Sequence, residues 1–441
     1  MEHLYEALER SARRNDVPGA QLVVWHGGEA HEFEFGEERH GTGRAVRRDS
    51  KVPIGSITKT FTATLLMVLV SDGDVDLDEP VAEYLPEVRQ AGGPAAELLT
   101  ARHLLSHTGG LHSEVASAPD GRSPLAASLL DLLQLPGAGF SYSNTGYALI
   151  GSLVEVVTGM TWAEAVRTIL LKPLDITCGF TADHTSAHTE PPTASGHTVN
   201  HALRLVRPVE QELLSVEAPA GGLAASAADL VELARMHLRP EHGGLDHDLV
   251  TAEHLAEMRR PLPAAEPFGL ADGWALGLAV FRNGGTCWLG HDGTADGTSC
   301  HLRFDPESGT VVALTANSVT GSALWRELLP DLRSAGIDVD ERVATVDETP
   351  RRPIPRDCTG TYVNGDTAYA VVERGDELHL VVDDEPAARL AVHEGFVFSV
   401  TDLANGATGH PGRFLRDPRS GRIDRIQIGG RVAGRLLRDV A

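Results

Sequence analysis

The stretch that decides the reading is KVPIGSITKTFTATLLMVLVSDGDVDLDEPVAEYLPE, residues 51–87. From Ser56 to about Ser71 it holds the longest apolar run in the chain and neither Pro nor Gly, so it reads as a helix. Gly73 follows as the expected left-handed terminator. Ser56 and Lys59 stand at its start, three residues apart, and therefore share one helical face. A serine hydroxyl becomes a useful nucleophile when a neighbour takes its proton, and a partly desolvated lysine can do so. Free N–H groups at the start of the helix favour negative charge developing beside that serine. The same spacing also fits a capping serine with an exposed lysine. Lysine usage weighs against that alternative: only Lys51, Lys59 and Lys172 occur among 38 Lys plus Arg. A cation kept as lysine points to work that a guanidinium, which does not deprotonate, cannot do.

Outward from this helix, residues 2–15 read as a helix, and Gln21–Trp25 with His31–Phe35 as a β-hairpin around Gly27-Gly28. Beyond Gly73 the pattern is mainly helical to about residue 210. It includes Asn144–Thr158 and a Thr161–Leu171 segment with a Thr161…Glu164 capping box. Ser226–Leu238 starts in the same way. Strand patterns return at Trp274–Phe281, Thr286–Leu289, Thr298–Phe304 and Val311–Thr315, before a last helix at about Gly321–Ser334. Strands at both ends with helices between predict an α+β fold whose sheet takes segments from both ends. Residues 344–357, ATVDETPRRPIPRD, read as a linker. Short β-type runs fill 358–441, as in a small barrel or sandwich. The expected division is a catalytic domain over 1–343, the linker, and a β domain over 358–441.

The 441 residues carry a formal charge of −24, which repels phosphate backbones and argues against a nucleic-acid partner. The four cysteines (Cys178, Cys287, Cys300, Cys358) form no CxxC pair and read as ordinary buried thiols, although Cys287 and Cys300 could face each other on neighbouring strands. The charged N-terminal segment has no apolar core, and the longest apolar run is far below the ~18 residues of a membrane helix. A cytoplasmic protein with no membrane partner is expected.

Two further elements accompany Ser56 and Lys59. Tyr142-Ser143-Asn144 offers a phenol, a general base if nearby positive charge lowers its pKa, and an amide to orient a carbonyl or the lysine. Tyr362-Val363-Asn364 matches the same pattern in the β region. His291-Asp292-Gly293 falls between strand patterns, where a turn could bring backbone N–H groups beside the nucleophile. Asp292 and Asp296 read as turn-formers, with repulsion of anions or binding of a cationic amine as the alternative. His107 reads as fixing a turn, and Trp274, Trp288 and Trp325 as core aromatics. His184, His188, His197 and His201 read as solvated loop histidines, on a loop that could act as a substrate lid. No HExxH or Cys/His pairing supports a metal there, so neither metal nor cofactor is expected.

These elements occur in the order used by the serine β-lactamase and penicillin-binding-protein superfamily. The chain resembles its class C β-lactamase-related branch, which holds D-peptidases, esterases, transacylases and penicillin-binding-protein-type thioesterases. The resemblance is carried by VPGAQLVVW (17–25), residues 51–87, TARHLLSHTGGL (100–111) and FSYSNTGYALIGSLVEVVTGMTW (140–162). It continues through LLKPLDIT (170–177), PAGGLAASAADLVELA (219–234) and LGHDGTADGTSCHLRFDPESGTVVALTAN (289–317). TGTYVNGDTAYAVVERGDELHLVV, beyond residue 350, resembles the lipocalin-like barrel that many members append. The implied fold is an antiparallel sheet flanked by helices, an all-helical subdomain and that barrel.

The resemblance implies Ser56 as acylated nucleophile, Lys59 as its base partner, Tyr142 as proton relay and Asn144 as positioner of the acyl group. The oxyanion hole would be the N–H groups of Ser56 and of Thr294, just past Gly293. His291 stands where the β-lactamases carry lysine. An imidazole mostly neutral at pH 7 binds a substrate carboxylate less firmly and lowers the Tyr142 pKa less. Poor β-lactam hydrolysis and an activity rising above neutral pH are therefore expected.

The expected function is acyl transfer from an activated ester or thioester, free or bound to a carrier protein, to an amine, as in a transacylase or peptide-cyclising thioesterase of natural-product assembly. Transfer to water, as in an esterase, amidase or D-amino-acid peptidase, shares every step up to the acyl-enzyme. A ligand-binding member without turnover is the remaining alternative.

Overall fold

The computed structural model describes residues 1, 3–115, 124–181, 193–245, 247–283, 285–339, 350–403, 406 and 408–436. It divides into two compact units. One comprises Met1–Leu77, Ile150–Arg260 and Ala275–Glu341; the other comprises Asp78–Leu149, Pro261–Trp274 and Arg342–Ala441. Compact packing thus does not follow the chain serially, since residues 358–441 share a unit with residues 78–149. Residues 344–349 of the expected linker, and His184 and His188, lie outside the described residues.

The first unit is built on an antiparallel sheet. Its hairpin, β1 (Gly19–His26) and β2 (Glu29–Gly36), forms as the alternation and the Gly27-Gly28 turn predict. From the far end of the chain come β3 (Ala279–Asn283), β4 (Thr286–Ala295), β5 (Thr298–Asp305) and β6 (Thr310–Ala316). The order β2-β1-β6-β5-β4-β3 places the N-terminal hairpin beside the last of these, with Leu22 opposite Leu314. Helix α1 (His3–Arg14) buries Leu4, Ala7, Leu8, Ser11 and Ala12, a stripe at helical spacing, and packs against the C-terminal Gly321–Ser334 helix and β2.

Helix α2 (Thr58–Asp72) is preceded by a 3₁₀ turn, Gly55–Ile57, and ends at Gly73 with φ 82°. It is buried on all sides from Thr58 to Leu69. Its threonines satisfy themselves locally or on neighbours: Thr60 donates to the Gly277 carbonyl at 3.1 Å and Thr62 to that of Pro219 at 2.7 Å. A polar-studded helix can be central because every hydroxyl has a partner.

Two expectations are corrected. The region before residue 210 is not continuously helical: Gly196–Asn200 and Leu205–Val209 form a β-hairpin, hidden by a Thr- and His-rich composition. His197 on this hairpin is no solvated loop residue. It is fully buried, with Nδ1 2.7 Å from the Asn317 carbonyl and Nε2 accepting from the His40 N–H at 3.1 Å. His201 is exposed beside Asp16.

The second unit contains a closed antiparallel barrel of β7 (Gly360–Asn364), β8 (Thr367–Arg374), β9 (Glu377–Val382), β10 (Glu385–Val392), β11 (Val397–Asp402), β12 (Gly412–Arg416), β13 (Ile423–Ile428) and β14 (Arg431–Arg435). Closure joins β7 to β14, Tyr362 facing Arg435. Val371, Leu380, Leu390, Phe398, Phe414 and Ile426 fill it. The competing Tyr362–Asn364 motif is structural. Tyr362 lies in this core and donates to the Cys358 carbonyl. Asn364 accepts from the Ser113 N–H and donates to the Val432 carbonyl. No single helix among the described residues is long and apolar enough to cross a membrane.

Candidate active site

Ser56, Lys59, His291, Gly293 and Thr294 fall in the first unit, and Tyr142 and Asn144 in the second. The geometry of each group is that within its own unit.

The strand at Val52–Pro53 pairs with Leu223–Ala225, and the Ile54 N–H donates to the Leu223 carbonyl at 3.0 Å. That pairing fixes where the 3₁₀ turn carrying Ser56 begins. No side chain caps this turn or α2, so the Ser56 hydroxyl is not spent as a cap, and the residue keeps partial exposure. Lys59 is completely buried; its Nζ lies 3.1 Å from Ser56 Oγ and donates to the Ala220 carbonyl at 2.8 Å. The picture of a capping serine with an exposed lysine therefore fails on both residues. The other lysines divide: Lys51 is buried and paired with Asp229 at 2.6 Å, whereas Lys172 is a surface residue.

The His291–Gly293 segment lies inside β4, not in a turn after a strand as expected. β3 pairs with β4 only as far as Gly290, opposite Ala279. Past that point the edge of β4 is taken by the Ser56 turn. A Cβ on Gly293 would strike the Ile54 carbonyl, and one on Gly55, whose φ is +48°, would strike the Thr294 backbone. Glycine at both positions lets the two main chains come this close. The arrangement brings the Thr294 backbone to the turn that carries Ser56, as a two-amide oxyanion site requires.

His291 is buried, 3% exposed, with Nδ1 2.5 Å from the Asp292 carbonyl oxygen. A carbonyl only accepts, so Nδ1 carries the proton in this contact. Burial, reinforced by the positive charge of Lys59, pushes its pKa down to about 4. The neutral imidazole expected from sequence is held neutral across the ordinary pH range.

Asp292 is neither a turn-former nor a free anion facing solvent. Arg303 binds both of its oxygens, Nη1 to Oδ1 at 2.7 Å and Nη2 to Oδ2 at 3.0 Å, and His301 Nδ1 stands 2.8 Å from Oδ1. Although burial opposes ionisation, the Arg303 charge and then His301 hold this carboxyl far below the usual range. Arg303 is fully buried, its guanidinium 3.7 Å from the Phe281 ring centroid. His301 stacks on Trp325 at 4.9 Å. Asp296 does form the turn between β4 and β5, as expected, and its carboxylate accepts from the Glu212 N–H. Three of the cysteines are buried as expected, but Cys287 is exposed because it lies at the solvent-facing start of β4; Cys300 sits opposite Gly293 across β4 and β5, so the two thiols do not face each other.

In the second unit Tyr142 is 5% exposed, inside an aromatic cluster with His107 at 4.2 Å, Trp274 at 5.8 Å and Phe140 beside both. His107, with φ 57°, accepts from the Ser143 N–H through Nδ1 at 3.1 Å and from the Ser141 N–H through its carbonyl. It fixes the turn, as expected, and specifically the turn bearing Tyr142. Asn144 opens helix α3 (Asn144–Thr158), and its Nδ2 donates to Glu114 Oε2 at 2.6 Å. Glu114 and Ala220 are hidden in the sequence because their contacts lie 30 and 161 residues away, and Arg303 because its pairing with Asp292 depends on the β4–β5 hairpin forming. Among the described residues no group of three or more His, Cys, Asp or Glu side chains is placed to hold a metal.

The beta-lactamase family matches residues 5–336. Penicillin-binding protein 4 of Amycolatopsis lactamdurans is 33% identical over 376 residues, covering 82% of this chain and 97% of that protein. A crystal structure of SurE with D-Leu superposes with a TM-score of 0.84 at 37% identity, covering 99% of each chain. A D-stereospecific amidohydrolase from Streptomyces sp. superposes at 0.59 with 27% identity, covering 74% of this chain and 97% of its own. The match to SurE runs through the barrel as well as the sheet. Together with a buried lysine beside a helix-start serine, these likenesses establish a serine hydrolase or acyltransferase, and the chain belongs to the beta-lactamase family.

Proposed function

We propose that this enzyme forms an acyl-Ser56 intermediate and passes the acyl group to an amine. The observation that carries the reading is the Ser56–Lys59 pair: a part-exposed hydroxyl 3.1 Å from a wholly buried amine. An amine held this close to Oγ is placed to accept the Ser56 proton. Oγ then attacks the acyl carbonyl, the N–H groups of Ser56 and Thr294 take the oxyanion, and the leaving thiolate or alkoxide departs with a proton. In this reading Tyr142 delivers that proton and then draws one from the incoming amine. Asn144, its amide held by Glu114, orients the acyl carbonyl.

Donor chemistry follows from His291. A neutral imidazole offers no charge to a carboxylate beside the scissile bond, which favours an ester or thioester donor over a free-acid peptide. The likeness to SurE bound to D-Leu and to a D-stereospecific amidohydrolase supports an acyl group ending in a D-residue. A peptidyl thioester ending in D-Leu, incubated with enzyme with and without an added amine, tests this by mass spectrometry. Amide is expected when amine is present, and more slowly from the L-epimer. Free acid alone, at any amine concentration, overturns transfer in favour of hydrolysis.

A further inference from the structure

The barrel meets the Tyr142 loop around a tight turn, Gly429-Gly430 between β13 and β14, with Ile428 opposite Arg431, and Gln427 Nε2 on β13 donates to the Phe140 carbonyl at 3.4 Å. Both glycines have left-handed φ, 54° and 74°, as a two-residue hairpin turn needs. The Gly430 carbonyl accepts from the Tyr142 N–H at 2.9 Å, and Ser141 Oγ accepts from the Val432 N–H at 3.2 Å. A Cβ on Gly430 would press on Phe140 and Leu270, so the turn is seated closely. From it the Arg431 guanidinium lies over the Tyr142 ring, 5.1 Å from the centroid. Its Nη2 is 3.8 Å from Glu114 Oε1, and the other Glu114 oxygen holds Asn144.

We propose that Arg431 is a positioning residue for Tyr142, holding the ring and supplying the positive charge that favours its phenolate. The proposal rests on the catalytic reading above and deepens it. The third motif of the β-lactamases carries a lysine; His291 here is neutral, whereas Arg431 is a cation placed directly over the phenol ring. Within this unit, titratable or charged groups against Tyr142 include Arg431 from the barrel turn, His107 from the preceding turn and Tyr147 from α3. Burial holds the Tyr147 phenol in its neutral form. Glu114 acts one step removed, drawing on Arg431. A guanidinium retains its charge throughout the working pH range, so its effect on a phenol does not switch off.

The direct test is the ultraviolet titration of Tyr142, taken as the difference between each protein and its Tyr142→Phe partner. In Arg431→Gln the phenol is expected to titrate at least about one pH unit higher than in the wild type, while Arg431→Lys returns most of the difference. The falling limb of kcat/KM against pH, read with an acyl thioester, where Tyr142 must still carry the proton it delivers, is expected to move upward by the same amount. Because Arg431→Gln could loosen the turn, Gly430→Ala serves as a second variant that disturbs the turn but keeps the cation. It should lower the rate without moving the phenol titration as far as Arg431→Gln does. An unmoved titration in Arg431→Gln overturns the proposal, as does a shift that Gly430→Ala equals or that Arg431→Lys fails to reverse. Detection of acyl-Ser56 by intact mass separates the two failures. With the adduct present and the titration unmoved, Arg431 alone is wrong; with no adduct in the wild type, the catalytic reading falls and takes this proposal with it.

Discussion

Gly293 and Ile54 meet backbone to backbone, with no room for a single extra carbon between the strand and the turn that carries Ser56. The consequence is a site assembled from main-chain atoms, in which a methyl group is enough to open the oxyanion geometry. We expect Gly293→Ala to lower kcat on an activated ester by about 10²-fold, the typical cost of losing one oxyanion donor. Thermal unfolding should show a loss of only about 1–3 kcal/mol from overpacking. Full turnover in a folded Gly293→Ala protein would show that Thr294 lies outside the reacting centre.

Lys59 separates base catalysis from charge. Lys59→Arg keeps a cation but removes the ability to take a proton, and Lys59→Met removes both. Both are expected to cut the rate of acyl-enzyme formation by at least about 10²–10³-fold, in the range of a positioned general base. Stopped-flow measurement of the acylation burst checks it. A Lys59→Arg enzyme that acylates at the wild-type rate would remove the lysine from the proton path.

Arg303 anchors the third motif from beneath. Replacing it by Met leaves Asp292 without its bidentate partner, while Asp292→Asn leaves a wholly buried guanidinium short of a counter-charge. Breaking a buried pair from one side costs about 3–5 kcal/mol; with Asp292 part exposed, about 2–3 kcal/mol is the expectation here. Denaturant unfolding of Asp292→Asn, Arg303→Met and the double variant measures it, and the double variant should recover part of the loss. Strict additivity would mean that the two residues do not act as a pair.

Acid stability follows from two buried imidazoles. Burial drives the His291 pKa down to about 4 and that of His237, stacked on Phe304, down to about 3. Below the ordinary value near 6.5 the unfolded chain takes up these protons and the folded chain does not. Stability should therefore be complete above about pH 6.5, fall as the pH drops, and level only where the folded rings protonate, with roughly 3 kcal/mol withdrawn by His291 and roughly 5 kcal/mol by His237. His237→Leu is expected to flatten that slope in urea titrations between pH 6.5 and 4. An unchanged slope would show that His237 is not held neutral by the fold.

Much of this architecture is legible in the sequence because its signals are local. The start and stop of α2, the N-terminal hairpin and the Thr161 and Ser226 capping boxes each depend on residues within a few positions of one another. The motifs of the site are legible by order and resemblance. What is not legible depends on long-range pairing. His291-Asp292-Gly293 looks like a turn because Asp and Gly usually break strands; only the fold shows that β4 continues and that Arg303 neutralises Asp292. His197 looks solvated because its neighbours are polar, yet its partners, the buried Asn317 and the His40 N–H, come from far along the chain. The two Tyr-x-Asn motifs are alike in sequence, and the barrel interior around Tyr362 tells them apart.

The account turns on covalent chemistry at Ser56, and intact-protein mass spectrometry after brief exposure to an acyl thioester tests it most directly. The wild-type protein is expected to gain one acyl group, mapped by peptide digestion to Ser56, with Ser56→Ala gaining none under the same conditions. An adduct of equal yield on Ser56→Ala, or one mapped to another residue while Ser56 stays unmodified, would contradict it.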